Sequence, residues 1–229
     1  MDILSNDRPS NAATDARKRR VLLASPLFLV GLGYILARAS ISLWEAWSWI
    51  PVILYYWAAL ATLIAWGGGR AAFRRWLVAT RRSRWIWVWR VLALAVPALF
   101  FATGFLPSLA SMNGPWVPLA WFGLGALNAW IEEGYWRGLL LDAASGWPGW
   151  LGGSYSALLF GASRALIFGF QEEPLKGLAG FVGATFAGLI WGFVYQKTRS
   201  LRLPVLGHFL QQMLAPPYHV FQQLVALLG

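Results

Sequence analysis

After residue 20 the chain is a succession of apolar stretches, several of which reach the roughly 20 residues a helix needs to cross a bilayer's hydrocarbon core. Composition points the same way. Of the 229 residues 58% are hydrophobic and 12% charged, whereas a soluble domain carries about 25% charged residues because its surface faces water. Sixteen Trp and seven Tyr suit a chain with two membrane interfaces, where amphipathic rings gather. The expectation is an all-α, polytopic transmembrane bundle of about seven spans, near residues 21–38, 47–67, 85–107, 116–141, 153–170, 175–196 and 203–228. Residues 1–20 read as a cytoplasmic basic tail, disordered over 1–16, and residues 21–229 as a single membrane domain. Gly68–Gly69 and Gly152–Gly153 read as turns, and Pro148, Pro174 and Pro204 as residues near helix starts, where a missing N–H is tolerated.

The net charge of +10 is a matter of topology. Basic residues fall in clusters between apolar segments, with no aromatic-lined motif interleaved, which speaks against nucleic acid as a partner. Lys and Arg in short loops are retained on the cytoplasmic side. With the N-terminus inside, Arg17 to Arg20, the block from Arg70 to Arg84, and the trio Lys197, Arg199 and Arg202 all share the cytoplasmic face. The opposite loops then keep only Arg38 and Lys176, beside Glu45, Glu172 and Glu173. Segment 70–84 reads either as an amphipathic stretch along the inner surface or as a solvated basic loop. The expected setting is an integral, multi-pass position in a bacterial inner membrane, with the lipid bilayer as an obligatory partner.

An ionisable side chain within a bilayer costs roughly 2.5–3.5 kcal/mol on insertion scales, so one retained at depth usually faces a protein interior and marks function. Glu132, Glu133, Arg137, Arg164 and His208 qualify. At a helical rise of about 1.5 Å per residue, Glu132 would lie roughly 13 Å, Arg164 roughly 16 Å and His208 roughly 8 Å from the cytoplasmic ends of their spans. Residues four apart share a helix face, as Glu133 and Arg137 do, and as His208 and Gln212 do. Such a set offers a carboxylate to activate water and donors to a developing oxyanion. The same residues also suit a plainer role, an intrahelical ion pair at Glu133 and Arg137 within a charge-balanced structural network. His219 and Phe160 read as packing or interfacial residues, and Glu172 and Glu173 as a solvated loop.

The run Glu132-Glu133-Gly134-Tyr135-Trp136-Arg137, two glutamates and an arginine spaced E-E-x-x-x-R, resembles the first motif of the CAAX-protease and bacteriocin-processing (CPBP, or Abi) family of intramembrane peptidases. Thr198-Arg199-Ser200-Leu201, followed by a helix carrying His208 and Gln212, is similar to the family's last motif, in which histidine is usually followed four residues on by asparagine. Phe160 opens a stretch similar to the middle motif, F-x-x-x-H, with Arg164 in the histidine's place. The resemblance covers about residues 115–215. It implies cleavage of a membrane-embedded or membrane-adjacent peptide by water that Glu132 activates, with Glu133 and Arg137 as neighbouring support and His208 and Gln212 in the oxyanion positions. Arg164 departs from the pattern, since a guanidinium cannot act as a base near neutral pH and a cation beside Glu132 lowers its basicity. The alternative is a pseudo-peptidase that binds, escorts or assembles another membrane protein. Nothing in the chain recognises a prenyl group by itself.

The family has often been called metallopeptidases, but no catalytic metal or other cofactor is expected here. The chain has no cysteine and only two histidines. His208 and His219 are 11 residues apart, about 16 Å along one helix, too far to ligate one ion.

Overall fold

The computed structural model describes residues 9–44, 47–78, 85–99, 115–168, 174–214 and 224–226, and among these every regular element is helical. The chain runs through α1 (Pro9–Trp44), α2 (Trp49–Gly67), α3 (Gly69–Val78), α4 (Ile86–Ala98), α5 (Trp116–Glu133), α6 (Gly149–Ser163), α7 (Pro174–Thr198) and α8 (Arg202–Leu214). Two of them end in π-helical turns. α5 continues through Gly134–Leu139 and a last α-turn, Leu140–Ala143, and α6 continues through Arg164–Phe168. Three stretches are long and apolar enough to cross a membrane unaided: Asp15–Trp44, Trp49–Gly67 and Gly177–Thr198, with Ile86–Ala98 a shorter apolar helix. This is an integral membrane protein.

Its outer face fits that setting. Along α7, Leu178, Val182, Phe186, Leu189 and Phe193 recur at steps of three and four and stand exposed, which gives the helix one continuous apolar stripe for lipid. The buried faces carry the polar residues instead. In α1, Pro26 has no N–H for the carbonyl four residues back, and the Ser25 hydroxyl donates to that Leu22 oxygen at 2.8 Å. Tyr135 then donates its phenol to Ser25 Oγ at 2.8 Å, which ties α1 to the π turn after α5.

Two boundaries differ from the sequence expectation. α1 begins at Pro9, so the second half of the expected disordered stretch is helical. Gly69 turns the chain with φ +62°, as the pair Gly68–Gly69 suggested, but Gly152 and Gly153 lie inside α6. Its helix starts at Gly149 because Pro148 takes the N-cap and the turn falls at residues 144–147. α8 ends at Leu214. His219, Glu172, Glu173 and the arginines at 81, 82 and 84 lie outside the described residues.

The basic clusters gather at one end of the bundle. Arg19 Nε donates to Ala143 O at 2.6 Å, and Asp142 takes Arg75 Nη2 at 3.7 Å, Arg199 Nη1 at 3.5 Å and the Tyr195 hydroxyl at 2.8 Å. α3 closes this end as a short amphipathic helix. Its Trp76 is buried against Gly138, where a Cβ would lie 2.6 Å from the indole. The Trp76 carbonyl accepts from Leu201 N at 3.1 Å and Ser200 Oγ at 3.3 Å, so one residue braces both α5 and the turn before α8.

Candidate active site

α5 delivers four polar side chains in two i to i+4 pairs, Asn128 with Glu132 and Glu133 with Arg137. All four are buried. Trp57 Nε1 donates to Asn128 Oδ1 at 2.7 Å, which orients the amide so that its Nδ2 donates to Glu132 Oε2 at 2.9 Å. Arg137 Nη1 donates to Glu133 Oε1 at 2.9 Å, and its guanidinium lies 4.3 Å from the Phe160 ring centroid and 5.6 Å from Trp191. Gly188 on α7 makes room for it, since a Cβ there would stand 3.0 Å from Arg137 Nη2 and 3.1 Å from Ala157 Cα. The site thus sits where α5 leaves α-geometry, and π turns are frequent at functional sites.

α6 contributes Arg164, the first residue of its own π turn. Its Nη2 donates to Glu132 Oε2, and the guanidinium rests between Phe160 and Phe168, 5.2 Å from each centroid. With 21% of its side chain exposed, Arg164 is the more open of the two cations, Arg137 being fully enclosed.

α8 places His208 between the two carboxylates. Nδ1 is 2.8 Å from Glu133 Oε1 and Nε2 is 3.2 Å from Glu132 Oε2, while the ring stacks on Trp191 at 4.9 Å. Gln212 Nε2 stands 3.1 Å and Arg164 Nη2 3.5 Å from His208 Nε2. A carboxylate only accepts, so Nδ1 donates to Glu133. Nε2 faces Glu132 Oε2, Arg164 Nη2 and the Gln212 amide together. Two glutamates and two arginines thus surround one histidine.

All six residues singled out in the sequence meet in this cluster. Sequence reasoning missed Asn128, whose signal was available, since it sits one helical turn before Glu132 on the same face. Phe160 packs in the core as expected, and its ring also contacts Arg137, Arg164 and His208. Trp57 and Trp191 carry no local signal, because their place beside the site depends on how the helices pack. Depth also shifts. Counted from Gly149 rather than residue 153, Arg164 lies about 22 Å from its helix start.

Four charged atoms of the cluster, Glu132 Oε1, Glu133 Oε2 and Arg137 Nε and Nη2, are buried without a hydrogen-bond partner among the described residues. Buried groups of this kind are normally satisfied by protein or water, so these are the atoms left for water or for polar groups of a substrate. The donor set does not suit a divalent metal. His208 directs its ring nitrogens at the two glutamates, and the two guanidiniums already bond the same carboxylates. Among the described residues no three histidine or carboxylate side chains form a metal-ligating group.

Residues 113–214 match the family model for type II CAAX prenyl endopeptidase Rce1-like proteins, within the CPBP family. This segment is an Rce1-like domain. Neither curated proteins nor solved structures give a match to the chain. The Rce1-like domain contains Glu132, Glu133, Arg137, Arg164, His208 and Gln212 together, whereas α1, α2 and α3 lie before it and supply Trp57 and Trp76 from outside. The match supports a CAAX-type intramembrane peptidase fold for residues 113–214.

Proposed function

We propose that the protein is an intramembrane endopeptidase of low turnover, acting on a membrane-embedded or membrane-adjacent peptide, with Glu132 as its base and Arg164 as the group that restrains it. The observation that carries this reading is the split environment of Glu132. Its Oε2 is held by Asn128, Arg164 and His208, while its buried Oε1 has no partner among the described residues. Oε1 takes a proton from water, the water oxygen adds to the scissile carbonyl carbon, and the negative charge moves to the carbonyl oxygen. Gln212, released from His208, and Arg164 supply donors to that oxyanion. The carbon–nitrogen bond then breaks and the amine leaves with the proton that Glu132 had accepted. Arg164 pairs with the other oxygen of that carboxylate, which fixes the base in place and restrains it. Glu133 and Arg137 hold His208 and do not take part in bond making. The basic end of the bundle faces the cytoplasm in this reading, in a bacterial inner membrane.

A second reading, a pseudo-peptidase that binds another membrane protein, draws on the same Arg164–Glu132 pair, because a base tied into an ion pair serves binding as well as chemistry. Proteoliposomes holding the full chain and a quenched fluorescent transmembrane peptide separate the two. The peptidase reading predicts slow cleavage that Glu132→Gln abolishes while the variant stays folded. Cleavage unaffected by Glu132→Gln contradicts it, and peptide capture without cleavage by both proteins supports the second reading instead.

A further inference from the structure

A groove of about 690 Å³ opens between α6 and α7 at the basic end of the bundle. Its lining changes character with depth along α7. Lys197, Arg199 and Gln196 stand toward the end of the helix, Trp150 lines the groove from α6, and Phe193 and Leu189 lie about one and two turns further in. Trp150, Leu189 and Phe193 are exposed, and the last two belong to the apolar stripe that continues along α7 through Phe186 and Val182. The groove therefore opens sideways onto the lipid-facing surface, with its polar part at the interface. An adjoining cavity of about 430 Å³ shares Arg199 and adds Arg75 and Asp142.

Charge selects the occupant. Arg75 and Arg199 both approach Asp142, at 3.7 and 3.5 Å, so one carboxylate serves two guanidiniums. Lys197 has no carboxylate partner among the described residues and lies 5.2 Å from the Phe193 centroid. Three cations against one carboxylate leave two positive charges above an apolar floor. Basic pockets between transmembrane helices at an interface suit anionic lipid head groups. We propose that this groove binds an anionic bilayer phospholipid, Lys197 and Arg199 holding its phosphate and Leu189 and Phe193 bearing its acyl chains. The proposal is independent of the peptidase reading, since none of these residues belongs to the Glu132 cluster.

The test uses the full chain in detergent, titrated with phosphatidylglycerol or phosphatidylcholine, with bound lipid counted by native mass spectrometry. Two cations at the site predict one phosphatidylglycerol per chain, preferred over phosphatidylcholine by about 5- to 30-fold. Lys197→Gln should cut that preference by about fivefold. Ser154→Phe, which fills the groove without changing charge, should remove the bound lipid, and thermal melting of each variant confirms that it remains folded. Arg74→Gln, an exposed cation at the same end but outside the groove, should leave the preference intact. Equal binding of the two lipids overturns the proposal, as does a loss in Arg74→Gln as large as in Lys197→Gln, which indicates a diffuse basic surface. Displacement of the lipid by an equal concentration of inorganic phosphate overturns it in favour of a site for the free anion.

Discussion

Glu132 Oε2 meets Asn128, Arg164 and His208, so removing Arg164 strands a carboxylate that is fully buried. Breaking a buried pair from one side typically costs about 3–5 kcal/mol. Arg164 keeps part of its side chain exposed, which discounts that figure, and Arg164→Ala is expected to lower stability by about 2–3 kcal/mol, measured by thermal or denaturant unfolding in detergent. Arg137→Ala should cost more, since Arg137 and Glu133 are both enclosed. If the two variants melt together with wild type, neither pair holds the cluster. At this scale much was legible: charges rare enough to stand out in an apolar chain, with i to i+4 spacing to pair them. Asn128 was within reach of the same spacing argument. Trp57 and Trp191 were not, because an indole in an apolar run looks the same whether it meets lipid, an amide or an imidazole.

Helices carry the site through two irregularities that a periodicity count does not register. Both π turns adjoin charged motif residues, and a single widened turn leaves the surrounding hydrophobic pattern nearly unchanged. The start of α6 was misplaced for a related reason. A Gly-Gly pair suggests a turn, yet Gly152 lies close to Ala144 and Gly153 close to Gln196, contacts that permit a helix where propensity alone argues against one. The consequence is testable at α3, whose Trp76 touches the first motif through Gly138 and the last through the Ser200–Leu201 turn. Trp76→Ala is expected to cost about 3–5 kcal/mol, the usual range for a large aromatic side chain removed from a core. Gly188→Val should likewise destabilise, because its added atoms would meet Arg137 and Ala157, whereas Gly180→Ala, with open space around its Cβ, should melt within about 1 °C of wild type or above it. Equal melting temperatures for Gly188→Val and Gly180→Ala would remove the close-approach argument.

Across the whole molecule, the three basic clusters converge on Asp142 and its neighbours, a convergence that composition foreshadowed but whose acidic centre it did not single out. The chain has no cysteine, so Val78→Cys provides one label site, and a membrane-impermeant maleimide should reach it from the cytoplasmic side only. Labelling from outside would invert the topology. The Rce1-like segment, residues 113–214, contains all six clustered motif residues, while the helices before it orient Asn128 and brace the motif turns. In the proposed mechanism Arg164 stands beside Glu132 as the base, and the most direct measurement is cleavage of a transmembrane peptide by reconstituted wild type and Arg164→His. Imidazole titrates near working pH and can share a proton with Glu132 where guanidinium cannot. Arg164→His is predicted to raise turnover by about 10²-fold or more, the lower end of what a positioned acid–base group supplies, with the gain abolished by adding Glu132→Gln. Wild-type cleavage that Arg164→His eliminates in a folded protein would contradict the account and make Arg164 itself a catalytic group.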